Sequence, residues 1–245
     1  MARFYVPEPE MIDGILRIRG DEVKHIRRVL RLKAGDEISV FDGSAKEYQG
    51  TILEENSFSI AVRIEHRFTS KRESSLEITL AQSLLKGEKM DFLVRKATEL
   101  GVKDIVPFSS SRSVPLLESA KELERRRRWE KIAIEAAKQC GRGMLPKIGS
   151  LRDYRTALLS APSDSLRFIL WEKEGRRLKE ILGRARKQNR IFFIVGPEGG
   201  FSRQEVEEAM EKAFVPVTLG ERILRAETAS LCLLSILQYE FGDMG

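Results

Sequence analysis

Cysteine and histidine are scarce: the chain of 245 residues holds two of each. Cys140 and Cys232 lie far apart with no C-x-x-C spacing, so neither a disulfide framework nor a metal centre is expected. With His25 and His66 alone available, a Ser-His-Asp arrangement has little to be built from. No apolar run is long enough to span a membrane. Met1 to Met11 lack the charged start and apolar stretch of a signal peptide. These absences lead to the expectation of a cytoplasmic protein with no membrane partner.

What is present is a globular composition, 42% hydrophobic and 33% charged, which excludes disordered and fibrous classes. The length allows one large or two ordinary domains. A net charge of +6 favours an acidic partner, although many basic enzymes bind no nucleic acid. The chain is organised around Ile191 to Glu205. Ile191 to Val195 are five apolar residues in a row, the pattern of a strand buried on both faces of a parallel sheet. Gly196-Pro197-Glu198-Gly199-Gly200 turns the chain, and Ser202 with Glu205 forms a capping-box signature. Val206, Ala209, Met210 and Ala213 then mark one helix face. Strand, glycine turn and helix start is where open α/β sheets place a ligand. The loop is neither G-x-x-x-x-G-K-[ST] nor G-x-G-x-x-G, and Glu198 would repel a polyphosphate. A ligand of little negative charge is expected.

Residues 1–70 read as a small strand-rich domain, with strands near Phe4–Val6, Gly14–Ile18, Glu37–Phe41 and Ser59–Ile64. A helix from about Asp21 to Leu32 interrupts them, burying Val23, Ile26, Val29 and Leu30. Lys24, Arg27, Arg28 and Arg31 fall on its other side, as a solvated face or as a phosphate-tracking surface. The polar stretch Thr69–Ser75 marks the domain boundary. Residues 76–245 alternate strand and helix patterns, implying a mainly parallel α/β domain. Strands are expected over Leu76–Leu85, Asp104–Phe108, Leu166–Trp171 and Val215–Leu219. Helices are expected from Met90 to Leu100, Ser119 to Cys140, Asp153 to Leu159 and Arg177 to Lys187. Within the long helix, Arg125 to Arg128 point around its axis, which suits a solvated surface. The closing helix, Ala229 to Tyr239, is apolar nearly all round and must be covered on several sides, inside the fold or at a subunit interface.

Several segments in sequence order carry a resemblance. They are Lys89-Met90-Asp91-Phe92-Leu93-Val94-Arg95-Lys96-Ala97-Thr98-Glu99-Leu100-Gly101-Val102, Glu135 to Arg142, Gly196 to Phe201, and Leu219-Gly220-Glu221-Arg222-Ile223-Leu224-Arg225-Ala226-Glu227-Thr228-Ala229. Together with His25-Ile26-Arg27-Arg28-Val29-Leu30-Arg31, they resemble the bacterial 16S ribosomal RNA uridine-N3 methyltransferase family of the SPOUT superfamily. The resemblance implies a PUA-like β-barrel followed by an α/β domain with a deep trefoil knot. It also implies S-adenosylmethionine as methyl donor, a homodimer, and ribosomal RNA or the small ribosomal subunit as partner.

Carried over by position, the donor would rest against three loops. The first is Leu170, Trp171 and Glu172; the second is Gly196, Pro197, Glu198, Gly199 and Gly200. The third runs through Leu219, Gly220, Ile223, Leu224, Glu227, Thr228 and Ala229. Ile223 and Leu224 equally suit plain core packing, and Glu172 an exposed strand end. Uridine N3 must lose its proton before it attacks a methyl group, and the charge spreads onto the flanking carbonyl oxygens. An arginine suits that charge. Arg225 and Arg112 are the catalytic candidates, although Arg225 could simply pair with Glu227 and Arg112 could hold a phosphate. Glu198, Glu227 and water all qualify as proton acceptor. Two competing readings share the same features: a non-catalytic RNA-binding ribosome-assembly protein, and an RNA 2′-O-ribose methyltransferase of related fold.

Overall fold

The computed structural model describes residues 1–113, 119–183 and 189–245, with the side chains of residues 119 and 120 left aside. The chain divides into two compact units. Met1–Glu73 and Ala137–Leu145 make the first, and Ser74–Ala136 with Pro146–Gly245 the second. The excursion of residues 137–145 into the first unit has no marker in sequence pattern.

The first unit contains β1 (Ala2–Tyr5), β2 (Met11–Ile12), β3 (Ile15–Arg19), α1 (Asp21–Lys24), β4 (Glu37–Phe41), β5 (Lys46–Glu55) and β6 (Ser59–Thr69). Its sheet runs β1-β4-β5-β6-β3-β2, antiparallel except for β1 with β4. Strand β5 was not expected, because charged residues break up its alternation. It bulges at Gly50, where an added Cβ would collide with the Arg63 carbonyl oxygen. Phe4, Leu16, Ile18, Ile38, Val40, Ile52, Ile60 and Val62 form the core with Val23 and Ile26.

The expected helix over 21–32 is corrected. It continues past α1 as a π-helical stretch, His25–Val29. The Leu30 amide donates to the His25 carbonyl and that of Leu32 to Ile26, both at 3.0 Å. A π turn inserts a residue into the helical register, so the positions after Ile26 rotate away from the core. Val29 is therefore 67% exposed and Leu30 42% exposed, contrary to the buried stripe expected of them.

The second unit contains β7 (Glu77–Ser83), α2 (Lys89–Glu99), β8 (Asp104–Ser109), α3 (Ser119–Cys140, whose last turn counts with the first unit), β9 (Lys147–Ile148), β10 (Arg152–Asp153) and α4 (Tyr154–Leu159). It continues with β11 (Leu166–Leu170), β12 (Arg176–Arg177), α5 (Leu178–Leu182), β13 (Arg190–Val195), α6 (Arg203–Glu211), β14 (Val215–Thr218) and α7 (Ala226–Phe241). The end of the helix expected over Arg177–Lys187 lies outside the described residues. Every pairing is parallel, in the order β10-β8-β7-β13-β11-β14-β12, with β9 on β8. Residues of β13 alternate between two cores. Ile191, Phe193 and Val195 face one with α2 and α7, while Phe192 and Ile194 face the other with α4 and α6. That double burial is why this strand is apolar throughout.

Two helix faces differ from expectation. In α6, Val206 and Ala209 are buried but Met210 and Ala213 are exposed. Ala213 adopts a left-handed φ of 63° that ends the helix and turns Phe214 into the core instead. Helix α7 starts at Ala226, earlier than expected, and packs against α2, β7 and β13 through Leu233, Leu234 and Leu237. Its other side, with Leu231, Cys232 and Ile236, is half-buried. No described helix is long and apolar enough to cross a membrane.

Candidate active site

Strands β13 and β14 lie on either side of β11, so the winding direction reverses there and three strand ends meet at one edge. Leu170 to Glu172 leave β11, Gly196 to Gly200 leave β13, and the chain from Leu219 leaves β14. They enclose a cavity of ≈ 580 Å³, a size suited to a nucleoside-like molecule.

Most of the expected residues line it: Leu170, Trp171, Glu172, Gly196, Pro197, Glu198, Gly199, Gly200, Leu219, Ile223, Leu224 and Ala229, with Arg225. Gly220, Glu227 and Thr228 are not among the lining residues. Gly220 and Thr228 are exposed, and Glu227 is half-buried in the first turn of α7. Ile223 is 83% exposed, so core packing does not explain it; it is an apolar side chain held over the opening.

The glycine turn is tight for steric reasons. Gly200 has φ +66°, a region costly for other residues, and an added Cβ would stand 3.1 Å from a Glu172 carboxylate oxygen. The Gly200 amide closes the turn on the Pro197 carbonyl at 2.9 Å. The capping box of α6 forms as expected between Ser202 and Glu205. Glu205 also accepts from the Ser111 amide at 3.0 Å, anchoring the loop after β8. From that loop, the Arg112 guanidinium donates to the Gly199 carbonyl at 3.0 Å. Arg112 therefore grips the turn and is not among the residues lining the cavity.

Behind the turn lies a buried polar network. The Gln82 side-chain amide donates to the carbonyls of Val195 and Gly196, at 3.4 and 3.3 Å. Its carbonyl accepts from the Ser230 hydroxyl of α7 at 2.6 Å. Both side chains are fully buried. Gln82 thus couples β7, the glycine turn and α7, a role with no sequence signal beyond a polar residue in an apolar strand.

Glu198 is paired. Lys89 donates to its Oε1 at 2.8 Å, and the Lys86 amide at 3.1 Å. Burial pushes the Glu198 carboxyl up, but the Lys89 hydrogen bond with the backbone amides of Glu198 and Lys86 outweighs it, and the group is held below its usual range. Lys89 lines the cavity and was missed as a site residue. It opens one of the resemblance segments, yet only folding brings it to a residue 109 positions away. The repulsion argument from Glu198 is correspondingly weaker.

Arg225 is exposed at the N-cap of α7 and lines the cavity without an acidic partner among the described residues. The suggested pair with Glu227 does not form; Glu227 Oε2 is instead buried without a hydrogen bond. Trp171 Nε1 is a second buried atom lacking one. Lys24, Arg27, Arg28 and Arg31 are all exposed on the first unit, with Arg27 bonded to Glu55 at 3.0 Å. Among the described residues no cluster suited to a metal ion occurs.

A parallel sheet with a ligand cavity at its reversal point, preceded by a small β domain, defines the class, and family profiles agree. The RNA methyltransferase domain matches residues 72–238 and the RNA methyltransferase PUA domain residues 18–65. Ribosomal RNA small subunit methyltransferase E of Bacillus subtilis (strain 168) is 31% identical over 228 residues, covering 91% of this chain and 89% of the relative. Its Aquifex aeolicus (strain VF5) counterpart is 35% identical over 225 residues, covering 91% and 94%. The crystal structure of a ribosomal RNA small subunit methyltransferase E from Neisseria gonorrhoeae, bound to S-adenosyl methionine, covers 100% of both chains at 36% identity and a TM-score of 0.91. The chain belongs to the ribosomal RNA small subunit methyltransferase E family of RNA methyltransferases.

Proposed function

We propose that this protein transfers a methyl group from S-adenosylmethionine to N3 of a uridine in the 16S RNA of the small ribosomal subunit. The observation that carries the reading is the cavity built from three adjacent strand ends, lined by the segments that resemble the family. The residues present suit the donor. Gly196 to Gly200 bring backbone close to a ligand, and Leu219, Ile223, Leu224 and Ala229 offer an apolar wall for a nucleobase. The unsatisfied Trp171 Nε1 at this edge adds an unused donor. When bound, S-adenosylmethionine supplies an electrophilic methyl carbon on a sulfonium.

The chain's own residues position and stabilise. Holding acceptor and donor in line supplies much of the acceleration. Arg225, unpaired on the cavity wall, faces the negative charge that uracil develops on its carbonyl oxygens as N3 loses its proton. Arg112 acts indirectly, by gripping the Gly199 carbonyl. Glu198 is a poor base because Lys89 helps hold its carboxyl below the usual range. Water and Glu227, whose Oε2 is buried without a hydrogen bond, are left to take the proton.

The reading extends to a homodimer, supported by the half-buried apolar side of α7, and to a trefoil knot, supported by the β13-β11-β14 reversal with α7 returning to β7 and β13. Its compartment is the cytoplasm, and the exposed cations Lys24, Arg27, Arg28 and Arg31 contact RNA phosphates. Incubation with under-modified small subunits and labelled donor, followed by nucleoside digestion, tests it. Label in 3-methyluridine is expected. Label in a ribose-methylated nucleoside would transfer the assignment to that chemistry, and donor binding without label would favour an assembly factor.

A further inference from the structure

A second concave surface lies on the methyltransferase unit, between α2 and α3. It is a groove of ≈ 630 Å³ lined by Asp91 and Arg95 from α2 and by Leu123, Glu124, Arg127, Arg128, Lys131 and Ile132 from α3. Four cations face two carboxylates there. Asp91 is already neutralised: it accepts from Trp129 Nε1 at 3.1 Å and pairs with Arg128. That pair joins the two helices and fixes one guanidinium at the groove. Arg95, Arg127 and Lys131 are exposed and bear no ion pair among the described residues. Helical spacing sets Arg127 and Lys131 on one face, i and i+4. Two like charges at that spacing repel, and Glu124, three residues before Arg127, is the one other carboxylate lining the groove among the described residues. Of the arginine run, Arg126 turns away to Glu130 at 3.0 Å, and Arg125 is exposed outside this groove.

The position links the groove to the cavity. Lys89 opens α2 on the cavity wall, and Arg95 lies six residues further along, about 9 Å at the helical rise. A polyanion whose base enters the cavity would pass within reach of these cations.

We propose that this groove binds the phosphodiester backbone of the RNA substrate, at a place separate from the basic helix of the first unit. The inference rests on the RNA methyltransferase reading and adds a binding site to it. The chemistry selects phosphate: unpaired guanidinium and ammonium groups beside a small apolar rim, with no acidic pocket that would suit a cationic ligand.

The test measures binding of the full chain to a 16S RNA fragment containing the methylated uridine, without donor, over a range of salt. The variant Arg95→Gln/Arg127→Gln/Lys131→Gln is compared with Arg125→Gln, which removes charge from the same helix outside the groove. The triple variant should bind the RNA at least tenfold more weakly, with a log–log salt slope shallower by about one for each phosphate left unneutralised. Arg125→Gln should match wild type. Unchanged RNA affinity and slope in the triple variant would overturn the proposal, as would an equal loss in Arg125→Gln. Loss of binding to assembled subunits alone, with naked RNA unaffected, would mean a protein partner and would also overturn it. Binding of S-adenosylmethionine by calorimetry verifies that the triple variant is folded. Because the readout needs no turnover, absence of methylation by wild type would count against the enzymatic reading and not against the groove.

Discussion

Arg225 stands on the cavity wall with no acid to hold it, which fits a cation reserved for charge that appears only during reaction. Arg225→Ala should lower kcat by on the order of 10²–10³ while the donor Kd stays near wild type. Steady-state kinetics with calorimetry check this, and an equal loss in both parameters would remove the transition-state role. Glu198 offers a pH-dependent test. Its carboxyl is held below the usual range, so the Lys89 contact contributes fully at neutral pH. That contribution fades as pH falls through the lowered value, below roughly pH 4.5. Lys89→Met should let the Glu198 carboxyl titrate at higher pH, which carbon-detected NMR would read directly. An unmoved titration would show that Lys89 is not what holds it. Of these residues, Arg225 and Glu198 stood out in sequence because they fall in recognisable segments. Lys89 did not stand out as a partner, because its acid lies 109 positions away.

At the scale of elements, the register of the basic helix decides which side chains meet the core. The π-helical stretch predicts that Val29→Ser and Leu30→Ser change stability by no more than about 0.5 kcal/mol. Ile26→Ala in the same helix should cost about 2–5 kcal/mol. Chemical denaturation distinguishes this from a regular helix, in which Val29 and Leu30 would also be costly. Periodicity placed the helix and its cations but assumed 3.6 residues per turn throughout, so the inserted residue escaped it. The Gln82 network belongs to the same scale. Gln82→Leu removes the amide that donates to the Ser83, Val195 and Gly196 carbonyls, at about 1–3 kcal/mol for each group left without a partner, while the Ser230 hydroxyl keeps the Ala226 carbonyl as acceptor. Donor affinity should fall along with the melting temperature, because the Gly196 turn loses its rear support. A variant that melts earlier yet binds donor normally would show that the turn does not depend on Gln82.

For the whole molecule, the half-buried apolar side of α7 predicts self-association. Sedimentation equilibrium should give twice the mass of one chain, and Ile236→Arg should shift it toward the monomer. A single-chain mass for wild type at all concentrations would count against the homodimer. The sheet is also where the large-scale organisation resides: strand order, not strand content, makes the cavity. Three turns separated by up to dozens of residues become neighbours because β13 and β14 flank β11.

The sequence alone determined most strands and helices of the second unit and where the capping box and glycine turn fall, because these are set by local propensity and side-chain period; the three turns of the site came from resemblance to the family. It did not contain the Glu198–Lys89 pair, the Gln82–Ser230 bond, the Arg112 grip on Gly199 or the groove between α2 and α3. Those depend on residues far apart in the chain meeting across a parallel sheet whose order no local pattern encodes. The outward turn of Val29 and Leu30 falls in between: its residues are local, but the extra one per turn becomes visible only once Ile26 is anchored in the core.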